Sequence, residues 1–444
     1  MRIDFYFDFS CPYAYLGSTQ IVEIATRHQI ELRWCPMLLG GVFRAVGTPQ
    51  NMSQGMPAAK AKHNLLDMHR WAKLWDVGLT VPHTHPMRTV AALRALLSTD
   101  ESQWYPIIRQ IYHCYWVDGG NIAESAVLSK CLTAAGLAPD QLEHALAANH
   151  DPAIKSELRK RTDDAISRGV FGAPTSFVTT STENRENQHS EMFWGQDRLS
   201  ALDKYLDNYL TARDMTQSDE PSAPRPTSPI EPFSNSEILF YFDFSSPFAY
   251  LAAQQIKTLA EKVNASLIWK PFLLGAVFNQ VGTPLVPISA FSPAKRAYYR
   301  LDLNRSAQMA GTALTWNNHF PLRTVTALRL TLLILSQHPD HSEALISTMF
   351  SAAWEHGLDL NQPHVLADIL AEQGLPNELL LAAKQPDAKQ ALFQATEEAL
   401  HAGVFGAPTT IVISRDGHRS LFWGSDRLNF VERAAQGWRP DESS

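Results

Sequence analysis

Four cysteines in 444 residues are too few, and too widely spaced, for a disulfide framework. Cys11, Cys35, Cys114 and Cys131 form no CxxC pair, which points away from an oxidising compartment. Basic residues are in the minority, with 38 Lys and Arg against 45 Asp and Glu. A nucleic-acid footprint needs a basic excess, and no basic run here could follow a phosphate backbone. Long apolar runs are missing too, since none reaches the roughly 18 residues of a membrane span. The opening Met1-Arg2-Ile3-Asp4-Phe5-Tyr6 has no basic region, apolar core or small-residue cleavage site of a secretory signal. The expected location is therefore cytoplasmic, and the expected partners are small molecules, with neither nucleic acid nor membrane among them.

What is present is a folded composition, 45% apolar and 19% charged, in a chain longer than one hydrophobic core covers. It is also a repeat. Residues 3–18 read IDFYFDFSCPYAYLGS and residues 238–253 read ILFYFDFSSPFAYLAA, with 11 of 16 positions identical. Trp34 to Gly40 answers Trp269 to Gly275, Val46-Gly47-Thr48-Pro49 answers Val281-Gly282-Thr283-Pro284, and Arg88-Thr89-Val90 answers Arg323-Thr324-Val325. GVFGAPT stands at 169–175 and again at 403–409, and FWGQDRL at 193–199 answers FWGSDRL at 422–428. A period near 235 residues is that of a domain, far beyond a solenoid repeat. Residues 214–236 hold five prolines among Ser, Thr, Asp and Glu, the composition of an extended linker. The expected domains are 1–213 and 237–438, joined by 214–236.

Each copy reads as strand, helix, strand, a long helical stretch, two strands and a closing helix. In the first copy residues 3–9 alternate and are rich in aromatics, as a strand requires. Pro12 suits the first turn of a helix, whose apolar positions are Leu16, Ile21, Ile24 and Ala25. Residues 30–36 form a second strand and helical spacing dominates 57–168. Strand character returns at 175–178 and 192–194, ahead of a helix over 199–210.

Two turns carry the chemistry. Cys11 and, in the second copy, Ser246 stand just before a proline at a helix N-terminus, where free N–H groups favour an anion. A cysteine so placed is expected to have a lowered pKa; a serine there would donate a hydrogen bond to a bound thiolate. On these residues alone an inert buried cysteine and a plain helix cap remain equally open. The second turn is Gly172-Ala173-Pro174-Thr175, repeated as Gly406-Ala407-Pro408-Thr409. A proline entering a strand removes a ladder donor; a cis bond that aims neighbouring backbone groups at a ligand is one reason for it, an ordinary loop proline another.

Ser/Cys-Pro after an FxFD strand, then GVFGxPT, then FWGxDRL, in this order in both copies, resembles the 2-hydroxychromene-2-carboxylate isomerase family. That family is related to kappa-class glutathione transferases and DsbA-like oxidoreductases. The resemblance covers the chain apart from the linker. It implies an α/β fold of two tandem thioredoxin-like domains, each with an all-helical insertion, and glutathione as cofactor. It further implies that Cys11 and Ser246 contact the glutathione sulfur. Ala173 with Pro174, and Ala407 with Pro408, would pair with the tripeptide backbone. Gln196 and Asp197, and in the second copy Ser425 and Asp426, would hold its γ-glutamyl end. An Asp can bind an α-ammonium group, and it can equally cap the last helix.

Departures from the pattern separate the copies. Cys11 is of the DsbA type, yet Ala14 stands where a resolving cysteine is required. Pro293 to Tyr298 looks like the family's substrate-side helix, whereas Ala59 to His63 lacks its tyrosine. The second copy therefore reads as the more conventional site. His83 and His85 lack an accompanying carboxylate cluster, and no metal is assigned. The activity implied is that of a glutathione-dependent cis–trans isomerase or kappa-like transferase for an electrophilic, aromatic carboxylate. One alternative is a monothiol glutathione-linked oxidoreductase using Cys11. Another makes one copy a non-catalytic partner in an intramolecular pseudo-dimer.

Overall fold

The computed structural model describes residues 1–49, 55–180, 189–214 and 236–439, so the linker expected at 214–236 lies, apart from its ends, outside the described residues. The chain divides into two compact units. The first is built from Met1–Gly55, Asp67–Arg225 and Ser292–Tyr298, the second from Met56–Leu66, Pro226–Phe291 and Tyr299–Ser444.

The first copy begins β1 (Arg2–Phe7), α1 (Pro12–Arg27), β2 (Glu31–Pro36) and α2 (Leu39–Val46). Six helices follow among the described residues: α3 (Ala58–Leu74), α4 (Val90–Leu97), α5 (Trp104–Trp116), α6 (Ser125–Ala134), α7 (Pro139–Ala147) and α8 (Pro152–Ser167). The chain then returns to the sheet as β3 (Thr175–Thr180) and β4 (His189–Trp194) and closes with α9 (Leu199–Asp214). The second copy repeats the order with β5 (Glu237–Phe242), α10 (Pro247–Lys262), β6 (Ser266–Pro271) and α11 (Leu274–Val281). Its insertion is α12 (Pro293–Met309), α13 (Val325–Gln337), α14 (Pro339–Trp354), α15 (Pro363–Glu372), α16 (Glu378–Ala382) and α17 (Pro386–His401). It ends in β7 (Thr409–Ile413), β8 (Arg419–Trp423) and α18 (Leu428–Ala435).

The sheets are ordered β2-β1-β3-β4 and β6-β5-β7-β8. In each, the first two strands are parallel and need a helical crossover, which α1 and α10 supply; the remaining pairings are antiparallel. This is the expected thioredoxin-type unit with helices inserted between its halves. Alternation along β1 sends Ile3, Phe5 and Phe7, all without exposure, to one face. Phe5 and Phe7 meet Trp34 edge-on at 5.5 and 5.8 Å, and Phe7 and Phe9 meet Tyr112 of α5.

The insertion helices also reach the strand-to-helix turn. Trp116 Nε1 donates to the Phe9 carbonyl at 2.9 Å and Tyr112 Oη to the Asp8 carbonyl at 3.3 Å. In the second copy Trp354 Nε1 donates to the Phe244 carbonyl at 2.8 Å. These tryptophans are core, with their indole N–H groups satisfied. No helix among the described residues is long and apolar enough to cross a membrane.

Candidate active site

Cys11 and Ser246 occupy the N-cap positions of α1 and α10, with Pro12 and Pro247 opening the first turn. The Ser246 hydroxyl accepts from Ala249 N at 3.2 Å and donates to the Ala407 carbonyl at 3.0 Å. The Cys11 thiol donates to the Ala173 carbonyl at 3.1 Å. The two turns singled out in each copy, 162 and 161 residues apart, thus meet at one atom pair.

The lowered cysteine pKa expected at a helix N-terminus is not what the structure gives. Burial pushes the Cys11 thiol up to about 12, outweighing the N–H groups of Ala14 and Tyr13, and Asp8 adds to the rise. The reason is cover: Cys11 is only 7% exposed, and the charge-favouring groups of a helix end cannot replace the lost water.

The peptide bonds Ala173–Pro174 and Ala407–Pro408 are cis. Pro174 and Pro408 accept from Gly195 N at 2.9 Å and Gly424 N at 3.0 Å, which ties this loop to the FWGxDRL segment. Gly195 and Gly424 have φ of 106° and 111°, open to glycine, and a Cβ there would strike Asp197 or Asp426. Gly172 and Gly406 are needed for another reason: a Cβ would lie 2.6 and 2.5 Å from the indole nitrogens of Trp194 and Trp423. Gln196 is buried, and Asp197 and Asp426 pair with the adjacent Arg198 and Arg427 at 3.3 and 3.1 Å. A Cβ on Gly17 would lie 3.4 Å from Pro174 and 3.6 Å from the Gln196 Cβ, so α1 lies against the cis-proline loop and Gln196 together. Each copy therefore gathers helix N-terminus, cis-proline and Gly-x-Asp-Arg segment.

Two residues escaped the sequence reading. Asp8 and Asp243 are fully buried beneath the turn. Asp8 accepts from Ser10 N at 3.0 Å and from Leu39 N at 2.8 Å. Asp243 accepts from Ser245 N and Leu274 N, each at 2.9 Å, and from Thr324 Oγ1 at 2.7 Å. Burial raises both carboxyl pKa values, and these donors oppose the rise. The signal was in the repeat: FDF and RTV recur intact, and Thr324 belongs to the second.

The insertion residues fall differently from expectation. Tyr298 belongs to the first unit, where its hydroxyl accepts from Trp194 N at 2.9 Å and Lys295 lies 5.3 Å from the Trp194 ring. In the second unit the His63 Nε2 accepts from Trp423 N at 3.2 Å, with Lys60 4.9 Å from that ring. The tyrosine counted for the second copy thus stands beside the first copy's tryptophan. Arg88 and Arg323 are exposed, the latter lining a small open pocket with His319, Pro321, Asp359 and Asn361. His85 bonds the Tyr115 hydroxyl at 2.9 Å while His83 is exposed. The grouping of metal-capable donors among the described residues is His28, Asp203 and Asp207, where Asp203 is already paired with Arg27 and His28.

A family model for a DSBA-like thioredoxin domain matches residues 2–207 and again 237–436. A 2-hydroxychromene-2-carboxylate isomerase of Sphingobium xenophagum is 31% identical over 206 residues, 46% of this chain and 97% of that protein. A glutathione S-transferase kappa 1 of Caenorhabditis elegans is 28% identical over 211 residues, 45% of this chain and 88% of its own. A solved 2-hydroxychromene-2-carboxylate isomerase, 24% identical, aligns over 49% of this chain and 100% of its own with a TM-score of 0.42.

Proposed function

Since the chain belongs, in both of its copies, to the DSBA-like thioredoxin domain family, we propose that it is a glutathione-dependent cis–trans isomerase of the 2-hydroxychromene-2-carboxylate isomerase type, acting on an electrophilic, conjugated aromatic carboxylate. The observation that carries this reading is Ser246, a hydroxyl held between the first turn of α10 and the carbonyl before a cis-proline. The donor set suits a tripeptide thiol. Ser246, turning its hydroxyl from the Ala407 carbonyl, and the positive N-terminal end of α10 would hold the sulfur as thiolate. Backbone at Ala407 and Pro408 would pair with the cysteinyl unit, and Ser425 with Asp426 would take the γ-glutamyl end. The same roles fall to Cys11, Ala173, Pro174, Gln196 and Asp197 in the first copy.

Bound there, glutathione supplies a thiolate that adds reversibly to a conjugated double bond, opening it to rotation. The protein's part is to orient that sulfur and to hold its charge. It contributes no covalent nucleophile of its own in the second copy, because the Ser246 oxygen is committed to two hydrogen bonds. Asp243 acts one step removed by fixing the turn on which Ser246 sits.

Calorimetric titration with glutathione tests the reading. Loss of one of two binding events in a Ser246→Ala, Asp426→Ala double variant, with both retained in Cys11→Ser, supports it; no binding to the intact chain overturns it. The presence of Cys11 favours a second reading for the first copy, a monothiol glutathione-linked oxidoreductase. A Cys11→Ser variant that kept all deglutathionylating activity would exclude that.

A further inference from the structure

Trp194 and Trp423, the last residues of β4 and β8, lead directly into the two Gly-x-Asp-Arg segments. Both strands are sheet edges, and an amide on the outer side of an edge strand has no ladder partner. The next amide of each, on Gly195 and Gly424, turns inward to the cis-proline carbonyl. The Trp194 and Trp423 amides are met by side chains instead, Tyr298 Oη at 2.9 Å in the first unit and His63 Nε2 at 3.2 Å in the second. Pinned from both sides, the joint between edge strand and site segment has a fixed direction. The Tyr298 ring stands 5.7 Å from Phe171 and 6.1 Å from Trp194, and the His63 ring 5.5 Å from Phe405 and 6.1 Å from Trp423. His63 and Tyr298 occupy the same position of the repeat, as do Lys60 and Lys295 one helical turn earlier. In sequence, each nevertheless lies in the copy opposite to the tryptophan it serves. An apolar ring would fill the same space. What tyrosine and histidine share beyond a ring is an atom that accepts a hydrogen bond, and each unit uses that atom.

We propose that these two side chains are positioning residues exchanged between the copies. Tyr298, from the second copy's sequence, sets the direction of Gly195-Gln196-Asp197; His63, from the first copy's, sets that of Gly424-Ser425-Asp426. Each unit's site is then incomplete without a segment of the other copy, Ser292–Tyr298 in the first unit and Met56–Leu66 in the second. A substitution in one copy therefore acts on the site that bears the other copy's motifs. The consequence for binding rests on the glutathione reading above; the positioning itself does not.

The full-length chain is compared with Tyr298→Phe, which keeps the ring and removes the acceptor, and with Tyr298→His, which supplies the acceptor used in the second unit. Hydrogen exchange resolved to single amides reads Trp194 and Gly195 beside Trp423 and Gly424. In Tyr298→Phe the first pair should exchange about tenfold faster while the second pair, an internal control for folding, is unchanged. Tyr298→His should return the first pair to near the wild-type rate, and His63→Phe should give the mirror result. In calorimetry with glutathione, the binding event that Cys11→Ser alters should weaken in Tyr298→Phe and recover in Tyr298→His, with the other event untouched. Unchanged exchange at Trp194 in Tyr298→Phe, equal loosening of both units, or no recovery in Tyr298→His overturns the proposal. So does a glutathione affinity that Tyr298→Phe leaves unaltered in a chain whose wild type binds it. Localised exchange without any glutathione binding to the wild type supports the positioning and overturns only the glutathione reading.

Discussion

At the residue scale the two copies differ by one atom at the same place. The hydroxyl of Ser246 is small, neutral at all working pH values, and satisfied on both sides. Replacing it with alanine removes a helix cap, at a cost of about 1 kcal/mol, and a donor to a bound thiolate. Loss of a preorganised donor of that kind lowers turnover about 100-fold or more; steady-state isomerisation by Ser246→Ala, beside its urea-unfolding midpoint, checks both numbers. Cys11 behaves differently because the Ala173 carbonyl and surrounding apolar groups cover it. Its raised pKa means that the folded state favours the protonated thiol. Stability is therefore unaffected below the ordinary thiol value and falls as pH rises from there toward about 12. Alkylation of Cys11 by iodoacetamide should accordingly increase about tenfold per pH unit from pH 7 to 10 without levelling off. A plateau near pH 8, followed by peptide mass, would contradict that. The positions of Cys11 and Ser246 were readable from Pro12, Pro247 and the repeat; their environment was not. A helix N-terminus is a local feature, whereas the carbonyl that covers Cys11 arrives from residue 173.

At the element scale the same register carries opposite chemistry. Asp4 of β1 lies opposite Arg33 of β2, and Leu239 of β5 lies opposite Ile268 of β6. Asp4 has no exposure and is paired with Arg2, Arg33 and Arg168, the last at 2.6 Å. Leu239 and Ile268 instead pack into an apolar cluster with Ala402 and Ile411. Burial by itself would raise the Asp4 pKa, but Arg168, Arg2 and Arg33 together hold it below the carboxylate value. A depressed pKa contributes stability that is present above the unfolded-state value near 3.8 and is lost as pH falls through the lower folded one. Removing Asp4 alone would leave three partly exposed arginines without their shared partner and cost about 1–3 kcal/mol. Grafting the second copy's solution, as Asp4→Leu with Arg33→Ile and Arg168→Ala, should be neutral or stabilising by about 1–4 kcal/mol. It should also flatten the acid limb of the unfolding profile, measured in urea between pH 3 and 6. The strands themselves were legible from alternation. This contrast was visible only as a failed match at Asp4, because Arg168 reaches it from the end of α8.

For the whole molecule, the repeat exposed the architecture, and both copies fold into sheets of the same order. What the repeat hid was the allocation of the insertion helices. Helical spacing marks 57–168 without saying which unit each turn packs into, and Tyr298 and His63 fall beside tryptophans that linear reading assigned elsewhere. Each unit nonetheless has its own helix N-terminus, cis-proline and Gly-x-Asp-Arg segment, so the proposed activity predicts two glutathione sites per chain. They should differ in affinity. In the second copy a hydroxyl can turn from the Ala407 carbonyl to donate to the thiolate; in the first, a thiol of raised pKa, held on the Ala173 carbonyl, is a weaker donor. Cys11→Ser restores the hydroxyl, so calorimetry should show two unequal binding events in the wild type and two nearly equal ones in the variant. A single event in both proteins would mean that the first copy does not bind glutathione. Cys11 would then be a packing residue, which its 7% exposure alone already permits, and catalysis would rest on Ser246.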